Sequence, residues 1–400
     1  MTESTARRQR FSPLLVIVLV VVALIVCAGL SVGGYFLARN QGWLPGTEKT
    51  ELLRMLAFVP DRADFREEIW FGDFCRLVEA YDMPEVKDYD DLNDLSDEER
   101  TQWMQVSRNV WRSNFAGAQR AMQWRDVFGY DWFQLDREIT AGQPPEYFGV
   151  MKGTFDADNI QDALDELDYK EDEYEGTAYY HIRDDFEIEL KHEGSRIALA
   201  SLNRIMVSES MIVAAPATDI LENVLDAQAG RRDSLADDPT YAALARAMGP
   251  VVSAAILEGE RFHNSVAVGL GPNVTAEMRE EIRKKLAELY SEPLHPYELV
   301  GFGYLDDSDD QEMVIALAYD DSEDAEADAP VLADRLEDAI SLTMHDRTLS
   351  DYWRVGEPET HSFKGGSILA IKLELDDDAP HGLWLIMLMQ RDVTFLNVGE

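Results

Sequence analysis

The chain has very few residues of the kinds that build covalent or metal-based sites. Its 400 residues include two cysteines, Cys27 and Cys75, and seven histidines. Cys27 lies inside an apolar run and Cys75 is alone after it, so no disulfide can form within the rest of the chain. No two histidines have the spacing that a zinc-binding helix requires. The sequence therefore predicts a fold stabilised by packed cores, with no catalytic residue and no cofactor site that can be named.

Motifs of nucleophilic hydrolases and of nucleotide-binding proteins are also missing. The sequence contains no G-x-S-x-G, and Gly269-Leu270-Gly271 and Gly301-Phe302-Gly303 lack the later glycines of a dinucleotide-binding loop. An acid and base pair of the glycosidase kind has no sequence signature in a chain so rich in carboxylates. A hydrolase with an acidic pair therefore stays as the alternative to a binding protein without catalytic activity.

Basic residues are scarce. Lys and Arg number 36 against 77 Asp and Glu, which gives a net charge of −41. Residues 1–42 hold four Arg and one Glu, so the remaining chain carries a net charge of −44. A surface this negative repels phosphate groups, which argues against nucleic-acid binding. A cation or a basic partner would fit this composition, but a solvated acidic surface is the favoured explanation.

The sequence has one long apolar run, Leu14–Leu37. These 24 uncharged residues would form a helix of roughly 36 Å, enough to cross a bilayer core of about 30 Å. The run is longer than the core of a cleaved signal peptide, so we expect an uncleaved anchor over residues 13–38. Three Arg precede it and one follows, which predicts a cytoplasmic tail over residues 1–12 and an extracytoplasmic bulk at the cell membrane. Residues 39–50 are expected to be a short linker.

Periodicity in the remaining chain predicts an α+β fold. It indicates two related two-layer units, each an antiparallel sheet packed with amphipathic helices, at residues 51–233 and 297–400, joined by a segment of helix and strand at 234–296. In both units a strand is followed by an amphipathic helix and then by a turn with an aromatic residue and glycine, which suggests a degenerate internal repeat. The two helices are predicted at 156–167 and 325–344.

Local signals predict several further elements. Ser96 and Glu99 form a capping box that opens a helix running to about Ala121. Residues 132–139 are expected to be a short helix and residues 382–389 a strand. Apolar stretches at 299–305 and 313–319 flank a polar turn and predict a hairpin.

That turn carries the densest group of carboxylates in the chain. Its side chains could supply oxygen ligands to Ca²⁺, although a solvated hairpin tip is the simpler and favoured interpretation. The candidate ligands are Asp306, Asp307, Asp309, Asp310 and Glu312.

Three stretches, EIWFGDFCRL, GTFDADNIQDALDELDYKEDEYEGTAYY and ILENVLDAQAGRRDSLADDPTYAALARAM, carry a resemblance. Together with the N-terminal apolar run, they resemble uncharacterised bacterial membrane-anchored proteins of unknown function, over about residues 60–260. The resemblance implies an exported, bacterial setting, and it supplies no activity or catalytic residue to carry over. The anchor, the repeated α+β unit and the lack of catalytic motifs favour a non-catalytic, single-pass, extracytoplasmic binding or envelope-associated protein. It would contact the membrane through residues 13–38 and bind a partner protein, an envelope component or a cation.

Overall fold

The computed structural model describes residues 50–117, 121–263, 275–290, 292–306, 311–341 and 348–398. The predicted anchor at residues 13–38 lies outside these ranges. Within them, no helix combines the length and the apolar character needed to cross a membrane. Residues Thr50–Glu400 form one compact unit, and the hydrophobic cores described below lie within it, so we expect the chain from residue 43 onward to fold without the apolar run.

Strands of the described residues form one large antiparallel sheet. They are β1 Glu68–Asp73, β2 Leu135–Gln143, β3 Glu146–Gly153, β4 Lys170–Tyr174, β5 Thr177–His181, β6 Arg204–Val207, β7 Met211–Ala215, β8 Ser253–Glu258, β9 Leu299–Asp306, β10 Gln311–Tyr319, β11 Trp353–Val355, β12 Glu359–Phe363 and β13 Gly366–Leu375. The spatial order is β11-β13-β10-β9-β8-β1-β2-β3-β7-β6-β5-β4, and β12 also pairs with β13. The expected α+β class with antiparallel strands is confirmed.

Helices cover both faces of this sheet. They are α1 Glu51–Leu56, α2 Ala63–Arg66, α3 Phe74–Ala80, α4 Tyr89–Asp94, α5 Asp97–Val106, α6 Ala121–Phe128, α7 Ala157–Glu166, α8 Glu193–Ala198, α9 Thr218–Gln228, α10 Pro239–Ala247, α11 Glu260–His263, α12 Ala276–Leu289, α13 Ser322–Glu337 and α14 Leu383–Gln390. Side chains of α1, α2, α9 and α10 belong to the core on one face. Side chains of α3, α5, α6, α7, α13 and α14 belong to the core on the other.

The strand pair β1–β8 stands at the middle of the sheet. Alternation along β1 sends Trp70 to one core and Phe71 to the other, as expected for a strand covered on both faces. On each side of this pair the same order of elements follows: a strand hairpin, a helix and a second hairpin. On one side these are β2–β3, α7 and β4–β5, and on the other β9–β10, α13 and β12–β13. Strands from all three predicted segments thus lie in one continuous sheet.

Several local predictions are confirmed and others are wrong. The hairpin β9–β10 is present, and α7 lies within the helix predicted at 156–167. The Ser96 capping box opens α5 as predicted, but this helix ends at Val106 and does not continue to Ala121. Residues 135–143 form a strand rather than a helix, because Leu135, Arg137 and Ile139 also fit the two-residue period of a strand. Residues 383–390 form a helix rather than a strand, because an apolar run of this length has no period that separates the two.

Candidate functional site

A cavity of about 620 Å³ opens on the face of the sheet that carries α3 and α5. One wall is α3, which begins where β1 ends. Asp73 caps this helix by accepting a hydrogen bond from the backbone N–H of Arg76 at 3.1 Å. Phe74, Leu77 and Val78 of α3 line the cavity. The cap therefore fixes the direction in which the helix presents its apolar side chains.

An aromatic cluster made of Trp103, Trp132 and Phe133 forms a second wall. Trp103 comes from α5, while Trp132 and Phe133 come from the single helical turn before β2. The rings of Trp132 and Phe133 stack with centroids 4.0 Å apart, and the Trp103 centroid lies 5.1 Å from that of Trp132. Asp131 holds the turn in place by accepting the backbone N–H of Phe133 at 3.0 Å. These stacked rings make a rigid apolar surface.

Two polar atoms of the aromatic cluster have no partner. The indole nitrogens Nε1 of Trp103 and Trp132 are buried and make no hydrogen bond to any described residue. Each side chain is 6% exposed, so solvent reaches them poorly. A buried N–H group without an acceptor costs roughly 1–3 kcal/mol.

The segment 83–87 also contributes residues to the lining, and the charges of the lining cations are matched. The Lys87 ammonium lies 3.3 Å from a carboxylate oxygen of Glu85. The Arg125 guanidinium, which also lines the cavity, lies 3.5 Å from Asp88 and 3.6 Å from Asp131. Both cations in the lining thus have nearby carboxylates.

Cys75 lines the same cavity and remains a thiol. Its Sγ donates a hydrogen bond to Oδ1 of Asp136 at 3.2 Å. Burial, together with this carboxylate, raises the pKa of the Cys75 thiol to about 12. A thiol with such a pKa is a poor nucleophile at neutral pH.

Behind the aromatic cluster lies a buried carboxyl group, Glu138 of β2. It is 0% exposed and accepts hydrogen bonds from the backbone N–H of Ser113 at 2.7 Å and from its hydroxyl at 2.8 Å. Burial raises the pKa of Glu138 to about 7, although these bonds and the charge of Arg112 oppose the change. The Arg112 guanidinium lies 4.3 Å from the ring centre of Trp132. The Arg112 guanidinium therefore packs against the Trp132 wall.

A second, more polar cavity of about 400 Å³ lies where β8, β9 and β10 meet. Carboxylates of Glu258, Glu260, Glu298 and Asp320 line it. Burial and then neighbouring carboxylates raise the pKa values of Glu258 and Glu298. Arg66, also in the lining, is paired with Asp61 and Asp238, each at 2.7 Å.

The predicted calcium ligands fall elsewhere. Asp306 ends β9, and residues 307–310 lie outside the described ranges. Glu312 accepts a hydrogen bond from the Lys372 ammonium at 2.7 Å. No group of three or more potential metal ligands occurs among the described residues, and the calcium site stays a prediction.

Sequence reasoning missed the apolar cavity. Trp103 and Trp132 are far apart in the chain, and each fits the pattern of an ordinary core residue. Their pairing depends on how α5 packs against the turn before β2, for which the sequence carries no local signal.

No family model matches the chain, and no curated protein matches it in sequence. Two solved structures, crystal forms I and IV of a protein named TP0453, resemble it weakly, each with 8% sequence identity over 84% of this chain and 96% of that chain. Their TM-scores are 0.32 and 0.34, which is too low to establish a common fold.

Proposed function

We propose that this protein is a membrane-anchored, extracytoplasmic binding protein without catalytic activity, and that its ligand is a mainly apolar molecule held against the aromatic cluster. The observation that carries the proposal is the cavity of about 620 Å³ lined by α3 and the aromatic cluster. Its volume lies within the range of about 300–1,000 Å³ found for small-molecule sites, and such sites have mostly apolar linings.

The lining favours binding over catalysis. Its one cysteine has a pKa of about 12, and its two cations are close to carboxylates. Burying apolar ligand surface contributes roughly 25 cal/mol for each Å². An apolar molecule therefore gains most from this cavity.

The membrane setting is supported by the apolar run Leu14–Leu37 and by the arginines before it. A tether over residues 13–38 would hold the cavity near a bilayer, where apolar molecules are concentrated. The short linker at 39–50 is consistent with that placement.

The test uses the hydrocarbon diphenylhexatriene and the chain from residue 43 onward. Fluorescence excited through tryptophan reports binding, and the variants locate the bound molecule. We expect saturable binding, and we expect Val78→Trp to weaken it about tenfold by filling the cavity. Val331→Trp, at a half-buried position of α13 away from the cavity, is the matched control and should bind as the wild type does. Absence of saturable binding, or equal binding by both variants, would refute the proposal.

The second cavity favours the alternative, a membrane-tethered hydrolase. Burial and neighbouring carboxylates raise the pKa values of Glu258 and Glu298, which is the direction of change that a general acid requires. A hydrolase predicts turnover of nitrophenyl glycosides or esters that falls about a hundredfold in Glu298→Gln, while Glu173→Gln on the exposed strand β4 keeps it. Undetectable turnover across such a panel would leave this alternative without support.

A further inference from the structure

A short surface segment, residues 184–191, concentrates apolar side chains in solvent. All eight of its residues are exposed, and Phe186, Ile188 and Leu190 are 37%, 49% and 65% exposed. Exposed apolar residues scattered singly are common on proteins. Three of them within five positions, with Cα atoms at most about 14 Å apart, can be covered by one partner. We propose that this segment is a docking site for a protein whose contact region carries apolar side chains flanked by Lys or Arg.

The folded chain fixes the shape of the segment. The side-chain amide of Asn203, a buried residue, donates hydrogen bonds to the backbone oxygens of Glu187 at 2.9 Å and of Asp184 at 3.3 Å. The backbone N–H of Phe186 donates to the carbonyl oxygen of Pro216 at 2.9 Å. The apolar side chains are therefore presented by a pre-formed surface, which lowers the entropy cost of binding.

Backbone angles give an independent reason to assign a function to these side chains. Phe186 has a φ of +61°, and Leu199, at the end of the helix α8 that follows the segment, has a φ of +54°. This region favours glycine, because a Cβ atom is strained there. Leu199 is also 51% exposed, so packing within the chain accounts for only part of its apolar surface. A partner that covers this side chain accounts for the rest.

The charges of the segment select the partner. The segment holds four carboxylates and one lysine. Two of the carboxylates, Asp185 and Glu189, pair with arginines of this chain at 2.7 Å and 3.2 Å. The other two, Asp184 and Glu187, make no ion pair with any described residue. Lys or Arg side chains of a partner would supply the missing cations.

A second copy of this chain and a bilayer fit the segment less well. In a symmetric dimer the carboxylates of one copy would face those of the other, and like charges at an interface repel. On a bilayer, burying Ile188 and Leu190 would bring Glu187 and Glu189 among the lipid phosphates. A basic protein surface instead covers the apolar side chains and neutralises the carboxylates between them.

The test measures binding of a fluorescein-labelled amphipathic peptide of Leu and Lys to the chain from residue 43 onward, by fluorescence anisotropy at physiological salt. We expect saturable binding, and we expect Leu190→Ser to weaken it about tenfold. Glu187→Gln should weaken it about threefold. A peptide that keeps the Lys residues and has Ser in place of Leu should bind at least about tenfold more weakly, and so should one that has Glu in place of Lys.

Two variants are matched controls. Met389→Ser removes an apolar side chain that is 70% exposed on a different element, α14, and should bind the peptide as the wild type does. Val78→Trp should do the same, because the segment is not part of the cavity lining, so the outcome is independent of the ligand proposed for that cavity.

Three results would overturn the inference: no saturable binding, an equal affinity for the peptide of Ser and Lys, or an equal loss in Leu190→Ser and Met389→Ser. Sedimentation of the wild type with phosphatidylcholine vesicles, abolished in Leu190→Ser, would overturn it in favour of a bilayer contact.

Discussion

Glu138 should make the stability of this protein fall as the pH rises through neutrality. In the folded state burial raises its pKa from 4.5 to about 7, so the folded protein binds more protons than the unfolded chain between these values. Stability from the neutral carboxyl group is fully present below about pH 4.5 and is lost as the pH passes 7. The difference between the two pKa values corresponds to about 3 kcal/mol.

Glu138→Gln removes the charge and keeps the shape. The amide oxygen can accept the Ser113 N–H, and the amide NH₂ can donate to the Ser113 hydroxyl, which replaces both bonds of the carboxylate. We expect the variant to match the wild type at pH 5 and to exceed its free energy of unfolding at pH 8 by up to about 3 kcal/mol.

Urea unfolding followed by tryptophan fluorescence measures this difference at each pH. Glu173→Gln is the matched control, since Glu173 is exposed on the edge strand β4. Its free energy of unfolding should change with pH in the same way as that of the wild type. If Glu138→Gln also gives a parallel profile from pH 5 to pH 8, the buried carboxyl group does not titrate as described and the reasoning fails.

Three further predictions follow from single contacts. The Asp328 carboxylate lies 2.7 Å from Nδ1 of His295 and raises the pKa of His295. The contribution of this pair to stability is therefore lost as pH rises through the raised pKa. Asp328→Asn should lower the pKa of His295 in an NMR titration. Asp136→Asn should speed alkylation of Cys75 by iodoacetamide in the chain from residue 43, because the carboxylate raises the thiol pKa; an unchanged rate would contradict this. Gly72→Ala should lower the free energy of unfolding by about 1–3 kcal/mol, since a Cβ there would lie 2.5 Å from a backbone oxygen, and an unchanged urea midpoint would show that the strand can shift.

Local features of the fold were predictable because local residues determine them. Ile160 and Leu164 are both 0% exposed in α7, as their helical spacing indicates. The pairing of β9 with β10 follows from two apolar runs separated by polar residues. Glu138 could not be identified as buried, because a charged residue in an alternating stretch is normally placed on the solvent side, and β2 is covered on both faces.

The continuity of the sheet and the apolar cavity depend on long-range packing. β1 and β8 pair Ile69 with Ile256, residues in different predicted segments, and no short window of sequence records that pairing. The same holds for the contact between Trp103 and Trp132. Sequence patterns therefore predicted the class of fold. They did not predict that one sheet runs through both predicted units, and they did not predict the candidate site.

The central position of the β1–β8 pair has a consequence for how the chain reaches its native state. During synthesis β1 emerges long before β8, and until then one of its edges has unpaired N–H and C=O groups beside Ile69, Trp70 and Phe71. Open apolar edges of this kind recruit other chains, and closing so long a loop is slow. We therefore expect aggregation of newly made chains to be governed by this central edge, and the outer strands to matter less.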